Sequence, residues 1–313
     1  MGKVLVTGGA GFIGSHLVDL LIAEGTEVVI VDNLSSGSLK HVHPSSHLFK
    51  LDILDERVAD VFQEHPDIDR IVHLAAQSKV GPSVLNPTYD AQVNIQGTIR
   101  LLEFSRKYGV KQFVFASSAA IYGPSHTLPI REEFPALPLS PYGTSKYAAE
   151  AYVKTYGRLY GLNVHVLRFA NVYGPRQTAE TEAGVISIFI EKLLKNEQPI
   201  IFGDGKQTRD FIFVLDVVNA IRSCLETETN QEVDPVYNVS TGLQTSVEDL
   251  LKELCAQLNV TYAPAFEQER SGDIKHSCLD QQKLMNHVLW EPNVMLHKGL
   301  AETIEYYKSK KNV

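Results

Sequence analysis

The sequence predicts an α/β protein, a doubly wound parallel sheet followed by a smaller mixed α/β lobe. Three observations carry that expectation. Short apolar runs alternate with helical patterns through the first half of the chain. The runs Val28-Val29-Ile30-Val31 and Phe113-Val114-Phe115 are apolar at every position, as strands are when helices cover both faces of a parallel sheet. Finally, Gly8, Gly11 and Gly14 stand between the first apolar run and the first helical pattern, where a chain turns sharply from strand to helix.

Lys3–Thr7 reads as the first strand, Ser15–Glu24 as the first helix, and Val28–Asp32 and His47–Leu51 as further strands. Arg70–Leu74 and Gln112–Ser117 continue the rhythm, separated by one long helical segment from about Val84 to Tyr108. Ser140 and Pro141 open the next helix, which runs to about Tyr160: a serine hydroxyl can accept from a first-turn amide, and a proline there loses no helical bond. Strand Val164–Phe169 follows. The alternation then loosens into the turn-rich pieces Tyr173-Gly174-Pro175-Arg176 and Gly203-Asp204-Gly205-Lys206, with a helical segment near Gly184–Lys195 between them. The chain is therefore divided at residues 1–168 and 169–313, with Phe211–Val218 and Val236–Val239 as segments able to return to the first part.

A chain of 313 residues is long enough for one large domain with an appended lobe. Its formal net charge of −8 and its lack of any Lys/Arg run argue against nucleic acid or an anionic membrane as partner and favour a small molecule. The run Val4-Leu5-Val6 leaves no room for a signal peptide ahead of the first strand, and no apolar stretch approaches the ~20 residues of a membrane span, so a cytoplasmic protein is expected. Cys224, Cys255 and Cys278 are odd in number and share no ligand spacing, so they are expected to be reduced bystanders, and no metal is expected.

The glycine pattern has chemical meaning at this junction. Without side chains, a tight turn can bring backbone N–H groups and a helix N-terminus onto a pyrophosphate. Gly8, Gly11 and Gly14, with the intervening Phe12 and Ile13, are the candidate cradle. Asp32 closes the second strand eighteen positions beyond Gly14, where a carboxylate can accept from both ribose hydroxyls of an adenosine and would repel a 2′-phosphate. No arginine lies in Asn33-Leu34-Ser35-Ser36-Gly37, so NAD is expected rather than NADP, with Asn33, Ser36 and Gly37 near it. Asp52, at the end of the third strand, and its neighbour Ile53 are candidates for the adenine edge, although a surface carboxylate accounts for Asp52 equally well.

Tyr142 and Lys146 are four apart on a predicted helix, so both leave the same face. A phenol of pKa ~10 is a poor base at neutral pH, and bringing it to ~7 takes about 4 kcal/mol of preferential stabilisation of the phenolate. A lysine ammonium beside a cationic nicotinamide in a partly desolvated site has the right sign and size. Ser118, at the end of the strand Gln112–Ser117, can hydrogen-bond the same reacting oxygen, and Ser117 is a nearby rival. The expected catalytic set is Ser118, Tyr142 and Lys146, and the expected chemistry is redox at a sugar hydroxyl.

With these residues in place the sequence resembles the extended short-chain dehydrogenase/reductase family, and within it the sugar-nucleotide epimerases and dehydratases. The likeness is carried by Thr7-Gly8-Gly9-Ala10-Gly11-Phe12-Ile13-Gly14, Asp32-Asn33-Leu34, His73-Leu74-Ala75-Ala76, Tyr142-Gly143-Thr144-Ser145-Lys146 and Arg209-Asp210-Phe211-Ile212, which span most of the chain. The resemblance implies a Rossmann-type NAD-binding domain and a nucleotide-sugar lobe. It implies that Leu74, Ala75, Ala76, Asn94 and Ser117 border the cofactor together with Tyr142 and Lys146. It further implies that Asn171, Arg209, Arg270 and Asp273 hold a nucleoside diphosphate, and that helices near Asn94–Tyr108 and Tyr142–Tyr160 pair in a homodimer.

Family dehydratases carry acidic residues just after the position of Ser118, whereas this chain has Ala119 and Ala120, whose methyl groups can act as neither acid nor base. Loss of water is thereby disfavoured, and the pattern is most similar to enzymes that epimerise C4 of UDP-glucose. Ser277 falls where such epimerases place a residue that limits room at the sugar C2, so a small serine implies that N-acetylated sugars fit too. Two alternatives remain at this level: a one-way nucleotide-sugar reductase or dehydrogenase, and a noncatalytic NAD-binding sensor.

Overall fold

The computed structural model describes residues 2–178, 184–228, 234–269 and 274–311. A seven-stranded, wholly parallel sheet organises the first half. Its strands are β1 (Lys3–Thr7), β2 (Val28–Val31), β3 (His47–Phe49), β4 (Ile68–His73), β5 (Gln112–Ser118), β6 (Asn163–Phe169) and β11 (Val236–Val239), in the order β11-β6-β5-β4-β1-β2-β3. The unbroken apolar runs Val4–Val6 of β1 and Val28–Val31 of β2 have a direct cause. Val4, Val6, Val28 and Ile30 enter one core with helices α1 (Phe12–Ala23) and α8 (Val214–Leu225), while Leu5, Val29 and Val31 enter the opposite core with α2 (Val58–Glu64), α5 (Gly97–Tyr108) and α6 (Pro141–Tyr160). Winding reverses between β1 and β4, so the carboxyl ends of these two strands open a crevice where no crossover blocks access.

One expectation is corrected. The long helix from about Val84 to Tyr108 is broken into α3 (Val80–Leu85), α4 (Pro87–Ala91), a wide turn over Gln92–Gln96, and α5. Asn86 leaves helical geometry and accepts from Tyr89 N at 3.0 Å, and Pro87 takes the first turn of α4, where its missing N–H costs nothing. Helix α6 follows the expected bounds, and the Ser140 hydroxyl accepts from Gly143 N at 3.1 Å.

The remaining strands form three small pairs: β7 (Asn171–Tyr173) with β10 (Phe211–Phe213), β9 (Thr208–Arg209) with β12 (Thr245–Ser246), and β8 (Ile200–Phe202) with β13 (Ala265–Glu267). They lie on a third core built from Phe189 and Ile190 of α7 (Val185–Leu194), Leu250 and Leu254 of α9 (Val247–Leu258), and Leu300 and Ile304 of α11 (Leu296–Lys311). The short helix α10 (Gln282–His287) precedes α11. Two segments cross back: β11 pairs with β6, and α8 packs on α1, although its preceding strand Phe211–Phe213 pairs with β7 instead of the large sheet. Cys224, Cys255 and Cys278 are buried free thiols. No helix among the described residues is long and apolar enough to cross a membrane.

Candidate active site

The glycine loop follows β1 without slack. Gly8 takes φ +73°, a left-handed conformation that a side chain disfavours, and Gly11 N donates to Gly8 O at 3.1 Å. A Cβ on Gly14 would collide with the Gly8 carbonyl oxygen, so α1 can approach the loop only because Gly14 lacks one. At Gly11 the added carbon would meet only Gly8 O, at 3.2 Å, which leaves that side of the loop open. The first helical amides of α1 have no side-chain cap on Gly11, so they remain for an anion.

Asp32 is buried and receives Ala10 N at 2.9 Å and Leu34 N at 2.7 Å. Burial raises its pKa, and these two N–H bonds oppose the rise. A carboxylate has about four acceptor sites, so the two backbone bonds leave capacity for ribose hydroxyls. Asp52 accepts from Leu54 N at 2.9 Å and from Asn33 Nδ2 at 2.8 Å, which ties together the loops after β2 and β3.

A cavity of about 450 Å³ lies over these strand ends. It is bordered by most of the expected set: Gly8, Gly11, Phe12, Ile13, Gly14, Asp32, Asn33, Ser36, Asp52, Ile53, Leu74, Ala75, Ala76, Ser117, Tyr142 and Lys146. Two expected residues stand behind it. Gly37 packs against Ala10, its missing Cβ only 3.0 Å from that residue, and so braces the glycine loop from outside. Asn94 is buried and wholly engaged, accepting from Gln77 N at 2.9 Å and donating to Gln77 O, Asp90 Oδ1 and Ser145 Oγ at 3.0–3.2 Å. It shapes the wall without bordering the cavity.

Lys146 is the most constrained group in the site. It is only 3% exposed, its Nζ donates to Ala116 O at 2.8 Å and lies 4.9 Å from the Phe115 ring centroid. Burial pushes its pKa down to about 8, while the Asp90 and Glu150 carboxylates act in the opposite direction. His73, on the neighbouring strand, is held neutral by burial, which pushes its pKa down to about 3, and so it adds no competing cation. Of the two serines, Ser117 donates to Glu150 Oε1 at 2.5 Å, whereas the Ser118 hydroxyl accepts from Ala120 N at 3.2 Å, a bond that does not use its proton. Ser118 is therefore the better placed donor to an incoming oxygen.

A second cavity, of about 410 Å³, shares Phe12, Ile13, Ser117, Tyr142 and Phe169 with the first and adds Ser118, Asn171 and Arg209. Tyr142 thus stands at the wall between two chambers. The buried Asp210 carboxylate fixes the surroundings of Arg209 by accepting from Thr241 N, Thr241 Oγ1, Gly242 N and Leu279 N at 2.7–3.3 Å. Ser277 lies beside Arg209, its amide bonded to Thr208 O at 3.1 Å, and it is not among the residues bordering the cavity. Arg270 and Asp273 lie outside the described residues.

Sequence reasoning missed several lining residues. Ser78, Lys79 and Tyr89 border the first cavity because β4 is followed by a loop and two short helices instead of one long one; the Asn86-Pro87 pair was the available signal. Gln177, Phe189 and Gln207 border the second cavity, and only Gln207, next to the Arg209-Asp210 motif, had any local signal.

Comparison with known proteins agrees with this geometry. A family model described as the NAD dependent epimerase/dehydratase family matches residues 4–240. The UDP-glucose 4-epimerase of Thermotoga maritima, solved with UDP-glucose, is 44% identical and superimposes with a TM-score of 0.95 over 99% of each chain. A UDP-N-acetylglucosamine 4-epimerase from Methanobrevibacter ruminantium, solved with UDP-N-acetylmuramic acid, is 35% identical, with a TM-score of 0.93 over 99% of each chain. A UDP-glucose 4-epimerase of Thermus thermophilus, solved with NAD, is 39% identical, with a TM-score of 0.90 over 98% of this chain and 99% of its own.

Two outcomes follow from the geometry. Gly14→Ala should force α1 off the glycine loop and abolish retention of NAD, measured as dinucleotide released from the denatured protein, with little change in far-ultraviolet circular dichroism. Lys146 should make stability rise with pH: its folded pKa of about 8 lies below the unfolded value of ~10.4, so the native chain loses this proton first, and the burial penalty fades between those two values. Urea unfolding of the cofactor-free protein at several pH values should show a gain of about 3 kcal/mol across that window that Lys146→Met lacks.

Proposed function

The chain belongs to the NAD dependent epimerase/dehydratase family, and from that premise we propose that it inverts C4 of a UDP-hexose, interconverting UDP-glucose and UDP-galactose through a transient 4-keto sugar. The observation that carries the reading is the shared wall: Tyr142 borders both chambers, and Ser118 borders the second. A sugar carbon held there faces the cofactor on one side while its nucleotide extends into the other lobe. The enzyme is an isomerase, and it retains its NAD through turnover.

The glycine loop fits the cofactor, since Gly11 opens toward the cavity and Asp32 offers a carboxylate where a 2′-phosphate would be repelled. NAD supplies the two-electron acceptor for C4 in one half-reaction and the donor in the other. The protein supplies proton transfer and orientation. Tyr142 takes the C4 hydroxyl proton and later returns it, the Lys146 ammonium favours the phenolate, and Ser118 donates to the same sugar oxygen. Ala119 and Ala120 bring no acid or base beside that oxygen, which favours epimerisation over loss of water. Arg209 and Asn171 are assigned to the nucleoside diphosphate, with Arg270 and Asp273 assigned on sequence alone.

We assign residues 1–168 to cofactor binding and 169–313 to the nucleotide sugar, with β11 and α8 reaching back. A homodimer is supported by the exposed Tyr147 and Tyr152 on α6 and by an open groove of about 520 Å³ bordered by Pro87, Ala91, Ile95 and Leu139. Acceptance of N-acetylated sugars is assigned on the resemblance alone, from the small Ser277, which does not border the cavity.

Purified protein given UDP-galactose without added NAD should yield UDP-glucose, and deuterium at C4 should stay on the sugar. Tyr142→Phe should lower turnover by about 10²–10⁴-fold with NAD still bound. Reduced cofactor accumulating in step with product would instead identify a one-way dehydrogenase, and full activity in the variant would remove Tyr142 from the mechanism. Ser277→Tyr should lose UDP-N-acetylgalactosamine turnover selectively; equal loss on both sugars would refute the role given to Ser277.

A further inference from the structure

A buried hydrogen-bonded chain runs from the catalytic wall into the second lobe, and the proton transfers above make no use of it. Ser117 donates to Glu150, and Arg168 grips both Glu150 oxygens at 3.0 and 2.8 Å. Arg168 Nη1 also donates to the Tyr122 hydroxyl at 2.8 Å. A guanidinium can only donate, so the Tyr122 oxygen must accept there, and its own proton goes to Asn238 Oδ1 at 2.7 Å. That bond settles which end of the Asn238 amide is which. Its Nδ2 then donates to Ile130 O at 2.9 Å and to Asp280 O at 3.1 Å. Tyr122 is 2% exposed and Asn238 is fully buried, so water cannot substitute for either bond.

The far end of this chain is the strap Ser277–Asp280. On one side the strap is stitched to Ile130, through Ile130 N to Cys278 O and Asp280 N to Ile130 O, both at 2.8 Å. On the other side it meets the residues flanking Arg209, through Ser277 N to Thr208 O at 3.1 Å and Leu279 N to Asp210 Oδ2 at 3.3 Å. The strap therefore sits between the Tyr122–Asn238 pair and the substrate-side wall.

We propose that Tyr122 is a positioning residue for the nucleotide sugar: it passes the orientation set by the Glu150–Arg168 pair to Asn238, and so holds the strap and Arg209 in register with Tyr142. This rests on the epimerase reading of the site. Removing the hydroxyl leaves Arg168 Nη1 with Glu132 O, at 3.1 Å, and leaves Asn238 Oδ1 buried without its donor: Asn238 keeps Ile130 O and Asp280 O through Nδ2 but loses the bond that ties it to the Glu150–Arg168 pair. The loss falls on alignment of the second chamber, whereas Lys146, Ser118 and the glycine loop keep their own partners.

The test is Tyr122→Phe in the NAD-loaded full-length protein. It should raise KM for UDP-galactose about fivefold, with kcat within about twofold of the parent and NAD content unchanged, as expected for one net hydrogen bond acting on binding. Asn238→Ser, which removes the Nδ2 donor to Asp280 O in the strap and to Ile130 O beside it, should reproduce the same rise. Thermal unfolding and NAD content identify any variant that has simply lost its fold, and the dissociation constant for UDP-galactose by calorimetry repeats the comparison without turnover. KM and dissociation constant unchanged in both folded variants, or a fall in kcat alone, would overturn the proposal. A parent protein that binds UDP-galactose without epimerising it would defeat the catalytic reading instead, and the calorimetric ratio would still decide the role of Tyr122.

Discussion

Keeping one ammonium group out of water constrains the rest of the site. Lys146 is buried on α6 against the Ala116 carbonyl and the Phe115 ring, and the same burial lowers its pKa to about 8. A cation in that setting is costly, and it persists because its surroundings are arranged for it: Asp90 and Glu150 supply negative charge, and His73 stays neutral. On the proposed reading the benefit is functional: Lys146 and Tyr142 border one cavity, where a poorly solvated positive charge would favour phenolate far more than an exposed lysine.

The glycine loop meets a parallel constraint in steric form. Gly14 has no room for a Cβ beside the Gly8 carbonyl, and Gly8 requires a left-handed backbone, so α1 and β1 meet more closely than other residues allow. This close meeting sits where the winding of the sheet reverses, and the reversal opens the crevice. Charge and shape therefore converge on the ends of β1, β4 and β5.

The two lobes are interleaved, not strung in sequence. Strand β11 completes the first sheet, α8 packs on α1, and the Glu150–Arg168 pair reaches Asn238 through Tyr122. Burying such a pair brings little net stability, but each partner leaves the next with a single way to donate. The arrangement specifies a geometry, which a site must do if a sugar is to meet cofactor and base at one carbon.

Much of this was legible in the sequence, because periodicity, glycine spacing and a tyrosine four residues before a lysine are local patterns with local causes. The strand β1, the bounds and cap of α6, the tight turn of the glycine loop and the place of Asp32 at the cavity needed nothing more. What failed was non-local or interrupted: the helix broken at Asn86-Pro87, Asn94 turned into a bracket behind the wall, and Lys79 and Tyr89 brought to the cavity by that break. The sequence by itself determined the parallel sheet, the glycine loop and the placing of Tyr142 and Lys146 on one helix beside one cavity, since each depends on spacing along one element. Only the tertiary structure decided which serine hydroxyl is already committed to a carboxylate, how deeply Lys146 is desolvated, and which distant residues share a cavity with Tyr142. Those outcomes depend on distances between elements far apart in the chain, which no local spacing encodes.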